Sequence, residues 1–169
     1  QQDSVETLTD RRILITGGSG FLGSAVRNRL AAHGANDVHA PRSSDTDLTD
    51  QAAVEALFHD LRPQVVIHLA AKVGGIGANQ ARPGDLYIDN LLMGTYVIDA
   101  ARRFDVEKTV VVGTICSYPK FTPVPFEESS LWTGYPEETN APYGIAKLAL
   151  LMQLTANRDQ YGQRSAYLM

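Results

Sequence analysis

The sequence predicts an α/β fold in which helices cover both faces of a parallel, doubly wound sheet. Short apolar segments typical of buried strands alternate along the chain with longer segments of helical apolar spacing. The first apolar segment ends in glycines and a helical pattern follows at once, which is the order expected of a parallel unit. The predicted strands occupy residues 12–16, 37–40, 64–69, 108–113 and 166–169.

The predicted helices lie between these strands, at residues 21–33, 49–59, 83–104 and 142–161. Gly34 follows the first helix, in the position where a glycine commonly ends one. Asp47 or Thr49 is expected near the start of the second helix, because short polar side chains cap free N–H groups. Pro142 suits the first turn of the last helix. Residues 117–141 carry several prolines and little periodicity, so we expect a long loop there, which is either functional or disordered.

Length and composition indicate one globular domain with a sizeable core. The chain has 169 residues, of which 44% are hydrophobic and 20% charged. A net charge of -4 without a basic stripe argues against a nucleic-acid partner, and no apolar run is long enough to span a membrane. Residues 1–10 are polar, lack the apolar core of a secretory signal and are predicted to be a disordered tail ahead of a domain at 11–169. The single cysteine, Cys116, excludes an internal disulfide and fits a reducing cytoplasm.

A glycine-rich turn follows the first predicted strand. Glycines permit a tight turn and a close approach of backbone to a ligand, and the start of the next helix presents free N–H groups to a pyrophosphate. The GxGxxG pattern is weak in isolation, but here it lies between a strand and a helix, as dinucleotide binding requires. The alternative is a plain tight turn. The candidate cofactor residues of this turn are Gly17, Gly18, Ser19, Gly20, Phe21, Leu22 and Gly23.

The segment after the second strand indicates which dinucleotide is bound. An acid there commonly binds the ribose 2'-hydroxyl of NAD, but Ala40-Pro-Arg-Ser-Ser44 contains none. The guanidinium of Arg42 matches a 2'-phosphate, so NADP is favoured over NAD. The alternative for Arg42 is a solvated side chain on a turn. Asp47 and Leu48 are candidates for contact with the adenine, and a helix N-cap is the alternative for Asp47.

Tyr143 and Lys147 form the candidate catalytic pair. They lie four residues apart on a predicted helix, and therefore on one face of it. A free phenol titrates near 10, and a neighbouring ammonium is expected to lower the pKa of Tyr143. Thr114, at the end of the fourth strand, is placed to hydrogen-bond a substrate carbonyl, because strand ends at one sheet edge surround the ligand crevice. A Tyr-x-x-x-Lys pattern is common by chance, and it gains weight here from the nucleotide motif upstream.

Two further residues have competing interpretations. Cys116 lies near the same strand end and is either a proton-transfer group or, as is commoner for a cysteine, a small buried hydrophobe. His68 lies in an apolar strand and is interpreted as a satisfied core histidine rather than a catalyst. No cluster of histidines and cysteines suggests a metal ion.

Several segments together resemble the extended short-chain dehydrogenase/reductases. They are residues 16–23, His68-Leu-Ala-Ala71, Asn90 with Gly94-Thr95, and the Tyr143/Lys147 pair. Three segments resemble, more narrowly, the GDP-L-fucose synthase family. These three are Ala70-Ala-Lys-Val-Gly-Gly-Ile76, Cys116-Ser-Tyr-Pro-Lys120 and Asn140-Ala-Pro-Tyr-Gly-Ile-Ala-Lys147.

The resemblance implies a Rossmann-type NADP-binding domain that converts GDP-4-keto-6-deoxy-D-mannose to GDP-L-fucose. It implies that Tyr143 protonates the C4 oxygen while NADPH delivers hydride, and that Lys147 holds the nicotinamide ribose and tunes Tyr143. Thr114 would replace the family's usual serine, and Cys116 would transfer protons during epimerisation at C3 and C5. The resemblance adds four residues to the candidate cofactor contacts: Leu69, Ala70, Ala71 and Asn90.

The resemblance also implies that the family's enzymes are longer than these 169 residues. The family continues beyond the point that matches Met169, and that part supplies a second proton-transfer group and most of the sugar pocket. The predicted fold is therefore incomplete at its C-terminus, with the substrate domain missing, and full activity is not expected of the 169-residue chain. Ser19 stands where the family has a basic residue for the 2'-phosphate, which leaves Arg42 to carry the NADP prediction.

The family's dimers imply that the full-length enzyme is a homodimer, paired through the helices predicted at 83–104 and 142–161. In this chain the same helices are equally able to cover one face of their own sheet. Two other functions stay open. One is another NAD(P)-dependent nucleotide-sugar epimerase or reductase, and the other is a non-catalytic dinucleotide-binding module.

Overall fold

The computed structural model describes residues 8–169, apart from the side chains of Ile76, Ala78 and Asn79. Five strands form one sheet in the order β2-β1-β3-β4-β5, and every neighbouring pair is parallel. This arrangement confirms the predicted Rossmann-type α/β fold. The strands are β1 Ile13–Thr16, β2 Val38–His39, β3 Val65–His68, β4 Lys108–Val112 and β5 Ser165–Leu168.

Helices connect the strands at nearly the predicted bounds. Gly34 follows the first helix with φ +84°, in the left-handed region that favours glycine, so its predicted role at the helix end is confirmed. One short helix, α3, was not predicted, because its glycine-rich sequence gives no helical pattern. The helices are α1 Phe21–Ala32, α2 Gln51–Leu61, α3 Ile76–Ala81, α4 Pro83–Arg103 and α5 Ala141–Tyr161.

The predicted disordered tail falls mostly outside the described residues. Residues 1–7 lie outside them, and Leu8–Asp10 form a 3₁₀ turn. None of the helices within residues 8–169 is both long enough and apolar enough to cross a membrane.

The start of α2 corrects the sequence expectation. Asp50 caps the helix, because its carboxylate accepts a hydrogen bond from the backbone N–H of Ala52 at 2.9 Å. Asp47 instead accepts from the backbone N–H and the hydroxyl of Thr49, at 2.9 and 2.7 Å. The prediction that Asp47 or Thr49 caps α2 is wrong, since these two residues form a turn of their own just before the helix. The carboxylate of Asp47 is thereby held in the loop that follows β2.

The core lies on both faces of the sheet because successive strand residues point to opposite sides. On one face, Ile13 and Ile15 pack against Leu30 of α1. On the other, Leu14 packs against Phe58 of α2 and Val97 of α4. The same second face continues over β4 and β5, where buried residues of α4 and α5 meet. That part of the core comprises Ile98, Val111, Leu150 and Leu154.

Helices α4 and α5 lie against each other on that second face. A Cβ on Gly94 of α4 would overlap the side chain of Leu150 of α5, so the glycine allows the two helices to approach closely. The alternative that these helices cover one face of their own sheet is therefore what the structure shows. A homodimer through the same helices stays a prediction.

The predicted long loop is confirmed between β4 and α5. It contains a 3₁₀ turn at Glu128–Trp132 and an isolated bridge between Pro119 and Pro136. Tyr118 and Leu131 pack against Leu148 of α5, which fastens the loop to the helix. The loop therefore leads the chain from the carboxyl edge of the sheet back to the start of α5.

Candidate cofactor and catalytic site

The glycine turn after β1 is tightly closed, and neither Gly17 nor Gly23 has room for a side chain. Gly17 has φ +72°, and a Cβ there would lie 2.7 Å from the backbone nitrogen of Ala70 after β3. A Cβ on Gly23 would overlap the carbonyl oxygen of Gly17. The turn is fastened by a hydrogen bond from the N–H of Gly20 to that same carbonyl, at 3.1 Å. The glycines thus bring the start of α1 against the ends of β1 and β3.

An open cleft of about 360 Å³ lies beside this turn. It is bounded by the glycine turn, the loop after β2 and the loop after β3, all at the carboxyl edge of the sheet, where ligands of such folds bind. Lys72 and Met93 also line the cleft and were not among the predicted residues. Predicted cofactor residues that line it are Gly17, Ser19, Gly20, Arg42, Asp47, Leu48, Leu69, Ala70 and Ala71.

Other predicted cofactor residues support the cleft or lie at its margin. Gly18 is packed so that a Cβ would lie 2.5 Å from that of Ala40, and this close contact joins the turn to the segment after β2. Phe21 and Leu22 begin α1, and the ring of Phe21 is 98% exposed. Neither side chain belongs to the cleft lining, so their role as cofactor contacts stays a prediction.

Asn90 of α4 is buried and is not among the residues lining the cleft. Its amide nitrogen donates to the carbonyl oxygens of Lys72 and Leu86, at 2.8 and 2.7 Å. Its amide oxygen accepts from the N–H of Lys72 at 2.9 Å. Both the nitrogen and the oxygen of the amide therefore bind backbone groups, and Asn90 holds the loop after β3 in place at the cleft.

The rim of the cleft carries charges of both signs. The guanidinium of Arg42 is exposed and makes no hydrogen bond or ion pair with the described residues, while the backbone of Arg42 is fixed by the carboxylate of Asp45 at 3.1 Å. Hydrogen bonds from Thr49 hold the pKa of the Asp47 carboxyl below its usual value, so Asp47 is ionised at neutral pH. The ammonium of Lys72 pairs with Asp89 of α4 at 2.8 Å. Arg42 is thus a cation available to an anionic ligand.

The catalytic candidates meet where α5 crosses the end of β4. The hydroxyl of Thr114 accepts a hydrogen bond from the N–H of Cys116 at 3.2 Å and so caps the 3₁₀ turn Ile115–Ser117. Gly144 of α5 lies against the carbonyl of Cys116 with no room for a Cβ. The hydroxyl of Ser117 donates to the carbonyl of Gly144 at 2.8 Å. The first turns of α5 therefore rest directly on the turn that carries Thr114 and Cys116.

The pKa of the Tyr143 phenol differs from the expected one. Burial, followed by the neighbouring Cys116 thiol, raises the pKa of the Tyr143 phenol above its ordinary value. The expectation that Lys147 would lower this pKa is wrong for the structure described, because the loss of water around the phenol dominates. Tyr143 is therefore a protonated phenol at neutral pH, in the form that can donate a proton.

Lys147 is almost completely buried, with 2% of its surface exposed. Burial lowers its pKa to about 8, and it makes no ion pair with any of the described residues. Beneath it lies His68, 1% exposed, whose Nδ1 is 2.7 Å from the hydroxyl of Thr16. Burial and the charge of Lys147 lower the pKa of His68 to about 3, so the ring is neutral at physiological pH. The interpretation of His68 as a satisfied core histidine is confirmed.

Two residues missed by the sequence reasoning lie around α5. The hydroxyl of Tyr167 in β5 donates to the carbonyl of Lys147 at 2.9 Å, and Ser117 bonds Gly144 as described above. Thr16, His68, Val111 and Tyr167 are in register across β1, β3, β4 and β5, and so form one row on the sheet face beneath α5. The strand register is the only signal that places Tyr167 here, and the sequence does not specify it.

A second cavity, larger than the cleft beside the glycine turn, lies at the opposite edge of the sheet. It has a volume of about 570 Å³ and is lined by Arg11, Glu107 and Arg164, which precede β1, β4 and β5, among others. It contains none of the predicted site residues. The cleft beside the glycine turn, although smaller, is therefore the candidate site.

The sheet order, the glycine turn and the helix carrying Tyr143 and Lys147 together define a Rossmann-type domain of the short-chain dehydrogenase/reductase class. The model of the NAD dependent epimerase/dehydratase family matches residues 13–169. The chain belongs to that family.

Within the family, the chain is a homologue of the GDP-L-fucose synthases. It is 40% identical over 160 residues to GDP-L-fucose synthase 1 of Arabidopsis thaliana, and the match covers 94% of this chain and 50% of that protein. The chain spans about half the length of the curated relatives it matches.

Solved structures give the same relationship. A GDP-mannoheptose C4 reductase from Campylobacter jejuni with NADP bound superposes with a TM-score of 0.91 at 29% identity, over 94% of this chain and 50% of that one. A GDP-L-fucose synthetase from Naegleria fowleri bound to NADP gives a TM-score of 0.82 at 29% identity, over 94% and 48% of the two chains.

Proposed function

We propose that the protein is an NADP-dependent epimerase and reductase that converts GDP-4-keto-6-deoxy-D-mannose to GDP-L-fucose, and that the described residues supply its cofactor site and its proton donor. The observation that carries the proposal is the close packing of the first turns of α5 on the turn after β4. It places a protonated Tyr143 beside Cys116, and a buried Lys147 one turn along the same helix. Both lie at the sheet edge that also carries the glycine cleft.

The cleft fits a dinucleotide phosphate. The crowded backbone at Gly17 and Gly23 leaves the turn bare of side chains, so the N–H groups at the start of α1 are accessible to a pyrophosphate. The exposed guanidinium of Arg42 lies at the end of the cleft that follows β2, where a 2'-phosphate would lie in this fold. Asp47 and Leu48 line the adenine end. Two of the similar structures contain NADP, and they superpose on this chain more closely than one that contains NAD, which supports the choice of NADP.

Bound NADPH would supply a hydride to C4 of the keto sugar. The Tyr143 phenol, protonated at neutral pH, would donate its proton to the C4 oxygen. A positioned general acid contributes typically about 10² to 10⁴-fold to a rate. Lys147 would bind the nicotinamide ribose through its amine, and the Thr114 hydroxyl would hydrogen-bond the same carbonyl oxygen as Tyr143.

Epimerisation would use Cys116. A 4-keto group makes the C–H bonds at C3 and C5 acidic, so the same bound sugar is open to proton removal and return before it is reduced. The thiol of Cys116 is half-buried and close enough to Tyr143 to influence its pKa. A single site would therefore serve both reactions without a metal ion taking part.

A homodimer through α4 and α5 is part of the proposal. Apolar side chains remain exposed on both helices, among them Tyr87 and Ile88 on α4 and Met152 on α5, with exposed fractions of 37%, 42% and 52%. Burying such residues against a second copy would remove apolar surface from water. Sedimentation of the chain at increasing concentration measures this association.

A second candidate function is the reduction of another GDP-linked keto sugar. The structural likeness to a GDP-mannoheptose C4 reductase favours it, because that protein shares the fold over nearly the whole of this chain. A non-catalytic dinucleotide-binding module would need the glycine cleft but not Tyr143, Lys147 and Thr114 together, which argues against that reading.

The proposal is tested by two titrations followed by one assay. NADPH and NADH are added to the chain while the nicotinamide fluorescence is recorded, and tighter binding of NADPH is expected. The chain is then mixed with NADPH and GDP-4-keto-6-deoxy-D-mannose, with Tyr143→Phe as the control, and absorbance at the NADPH band is followed. A folded chain that binds neither nucleotide would contradict the proposal. Consumption above the rate without protein that is equal in wild type and Tyr143→Phe would remove Tyr143 from the mechanism.

A further inference from the structure

Two hydroxyl groups, one buried and one half-buried, donate hydrogen bonds to the backbone of α5 near the candidate catalytic turn. Ser117, in the 3₁₀ turn after β4, donates to the carbonyl of Gly144 at 2.8 Å. Tyr167, in β5, donates to the carbonyl of Lys147 at 2.9 Å. Gly144 follows Tyr143 directly, so one bond lies next to Tyr143 and the other is made to Lys147 itself.

Both donors are themselves fixed by close packing. The ring of Tyr167 lies against Gly113 with no room for a Cβ, and Gly113 is the first residue after β4. Ser117 is completely buried, and its hydroxyl is close enough to that of Tyr167 to influence its pKa. The donors therefore come from two neighbouring strands and meet under one helix. A shift of α5 along its axis would break both bonds and leave buried polar groups unpaired.

We propose that Ser117 and Tyr167 are positioning residues. They hold α5 at one register on the strand ends and thereby determine where Tyr143 and Lys147 lie relative to the cofactor site. The statement that Tyr143 and Lys147 act in catalysis from this position rests on the proposed function. The two bonds and their effect on the environment of Tyr143 do not depend on it.

The alternative is that these hydroxyls only satisfy buried backbone carbonyls. In that case their removal would lower stability without changing the surroundings of Tyr143. A readout at Tyr143 itself separates the two, because a positioning bond must change the solvation of the phenol. The groups that face Tyr143 are Cys116 from the turn, Tyr167 from β5 and Lys147 one turn along α5.

The test is a titration of the chain labelled with ¹³Cζ-tyrosine, in which Tyr143→Phe identifies the Tyr143 resonance. Ser117→Ala is the main variant, since Ser117 is not among the groups that act on the Tyr143 phenol directly. Its effect reaches Tyr143 through α5 or through the neighbouring Tyr167 hydroxyl, and Tyr167→Phe measures the second route. Tyr167→Phe keeps the ring on Gly113 and removes only the hydroxyl. The loss of one hydrogen bond corresponds to about 2-fold to 12-fold in an equilibrium constant, which limits the free energy available to hold α5. We therefore expect the acid dissociation constant of Tyr143 to rise in each variant, by at most about that factor.

Two controls define the outcome. Tyr96→Phe removes a phenol hydroxyl that makes no hydrogen bond among the described residues, and it should leave the Tyr143 titration unchanged. Ser117→Thr keeps a hydroxyl and should restore the wild-type titration. A folded Ser117→Ala chain whose Tyr143 titrates as in wild type would overturn the proposal, whatever happens to its stability. If Tyr167→Phe fails to fold, Ser117→Ala and Ser117→Thr decide the question.

The same variants separate this inference from the proposed function. All the titrations are made without nucleotide, so a wild-type chain that does not bind NADPH would contradict the function and leave the positioning result standing. If the chain binds NADPH, Ser117→Ala and Tyr167→Phe are expected to raise its dissociation constant by about 2-fold to 12-fold. An unchanged Tyr143 titration would overturn the positioning role even where NADPH binding is intact.

Discussion

Gly144 of α5 lies directly on the backbone carbonyl of Cys116, with no space between them for a Cβ. The contact joins the helix that carries Tyr143 and Lys147 to the turn that follows β4. It explains why a glycine occupies the fourth position of α5, although glycine is a poor helix former, less favourable than alanine by about 1 kcal/mol in a helix interior.

Gly144→Ala is therefore expected to destabilise the chain. Overpacking against backbone typically costs about 1 to 3 kcal/mol, which exceeds the gain in helix propensity. Urea unfolding at neutral pH measures the change. Gly84→Ala, in the first turn of α4, is the matched control, because a Cβ there meets nothing within 4 Å. A Gly144→Ala chain as stable as the control would show that α5 is not seated on Cys116.

Because of Lys147, the chain without nucleotide is expected to be more stable in mild alkali than at neutral pH. The folded pKa of Lys147, about 8, lies below its ordinary value of 10.5, so the unfolded chain binds more protons between these two values. Its contribution to the free energy of unfolding therefore rises as pH increases from about 8 to 10.5, and below pH 8 the buried ammonium is unfavourable in full. One pKa unit corresponds to about 1.4 kcal/mol, which puts the whole effect at roughly 3 kcal/mol.

Lys147→Met removes this titration while it keeps an unbranched apolar chain. We expect the variant to be more stable than wild type at pH 7, and the difference to shrink as pH rises. Tyr143 and Tyr167 have pKa values above their ordinary range, and their contribution to stability falls in alkali in both chains. Urea unfolding at several pH values gives the difference. A constant difference would mean that Lys147 is not charged and buried in the folded chain.

Arg42 is expected to discriminate between the two nicotinamide dinucleotides. Its guanidinium is exposed beside the cleft and makes no ion pair or hydrogen bond with the described residues, although its charge acts on the nearby Asp45 carboxylate, so it is available to a 2'-phosphate. Arg42→Ala should weaken NADPH binding by about tenfold to a hundredfold, since hydrogen bonds between charged groups contribute about 1.5 to 3 kcal/mol. NADH binding should change little. Arg27→Ala, an exposed arginine of α1 outside the cleft lining, is the control. Equal losses for both nucleotides would remove Arg42 from 2'-phosphate recognition.

Asn90 is expected to matter for stability and for the shape of the cleft, because both ends of its buried amide bind the loop after β3. Asn90→Ala would leave the Lys72 backbone groups unpaired, with an expected loss of about 2 to 4 kcal/mol. Asn28→Ala, at an exposed position of α1, serves as the comparison and should change stability by less than about 0.5 kcal/mol. Thermal unfolding distinguishes the two variants. Matching behaviour would show that the Asn90 amide is not bonded as described.

The sequence predicted those features that depend on local pattern. Strand and helix positions, the glycine turn and the helix face shared by Tyr143 and Lys147 follow from spacing over a few residues. The cap of α2 was assigned wrongly because Asp47, Thr49 and Asp50 are all suitable residue types, and only the backbone geometry selects Asp50.

Features that depend on contacts distant along the chain were not predictable. The pKa of Tyr143 depends on its burial and on Cys116, which no pattern reports. Tyr167 and Ser117 meet Lys147 and Gly144 across distances of 20 and 27 residues along the chain, and the sheet register brings them together. The sequence contains no signal for that register beyond the alternation of buried residues.

The most direct test of the account is a titration of the ¹⁵N- and ¹³Cζ-tyrosine-labelled chain with NADP. The central claim is that one bound dinucleotide reaches from the glycine turn to the helix face of Tyr143 and Lys147. We expect the amide resonances of Ser19 and Gly20 and the Cζ resonance of Tyr143 to shift together, along one saturation curve. Saturation at Ser19 and Gly20 with an unmoved Tyr143 would contradict the account, because the nicotinamide end would then lie elsewhere.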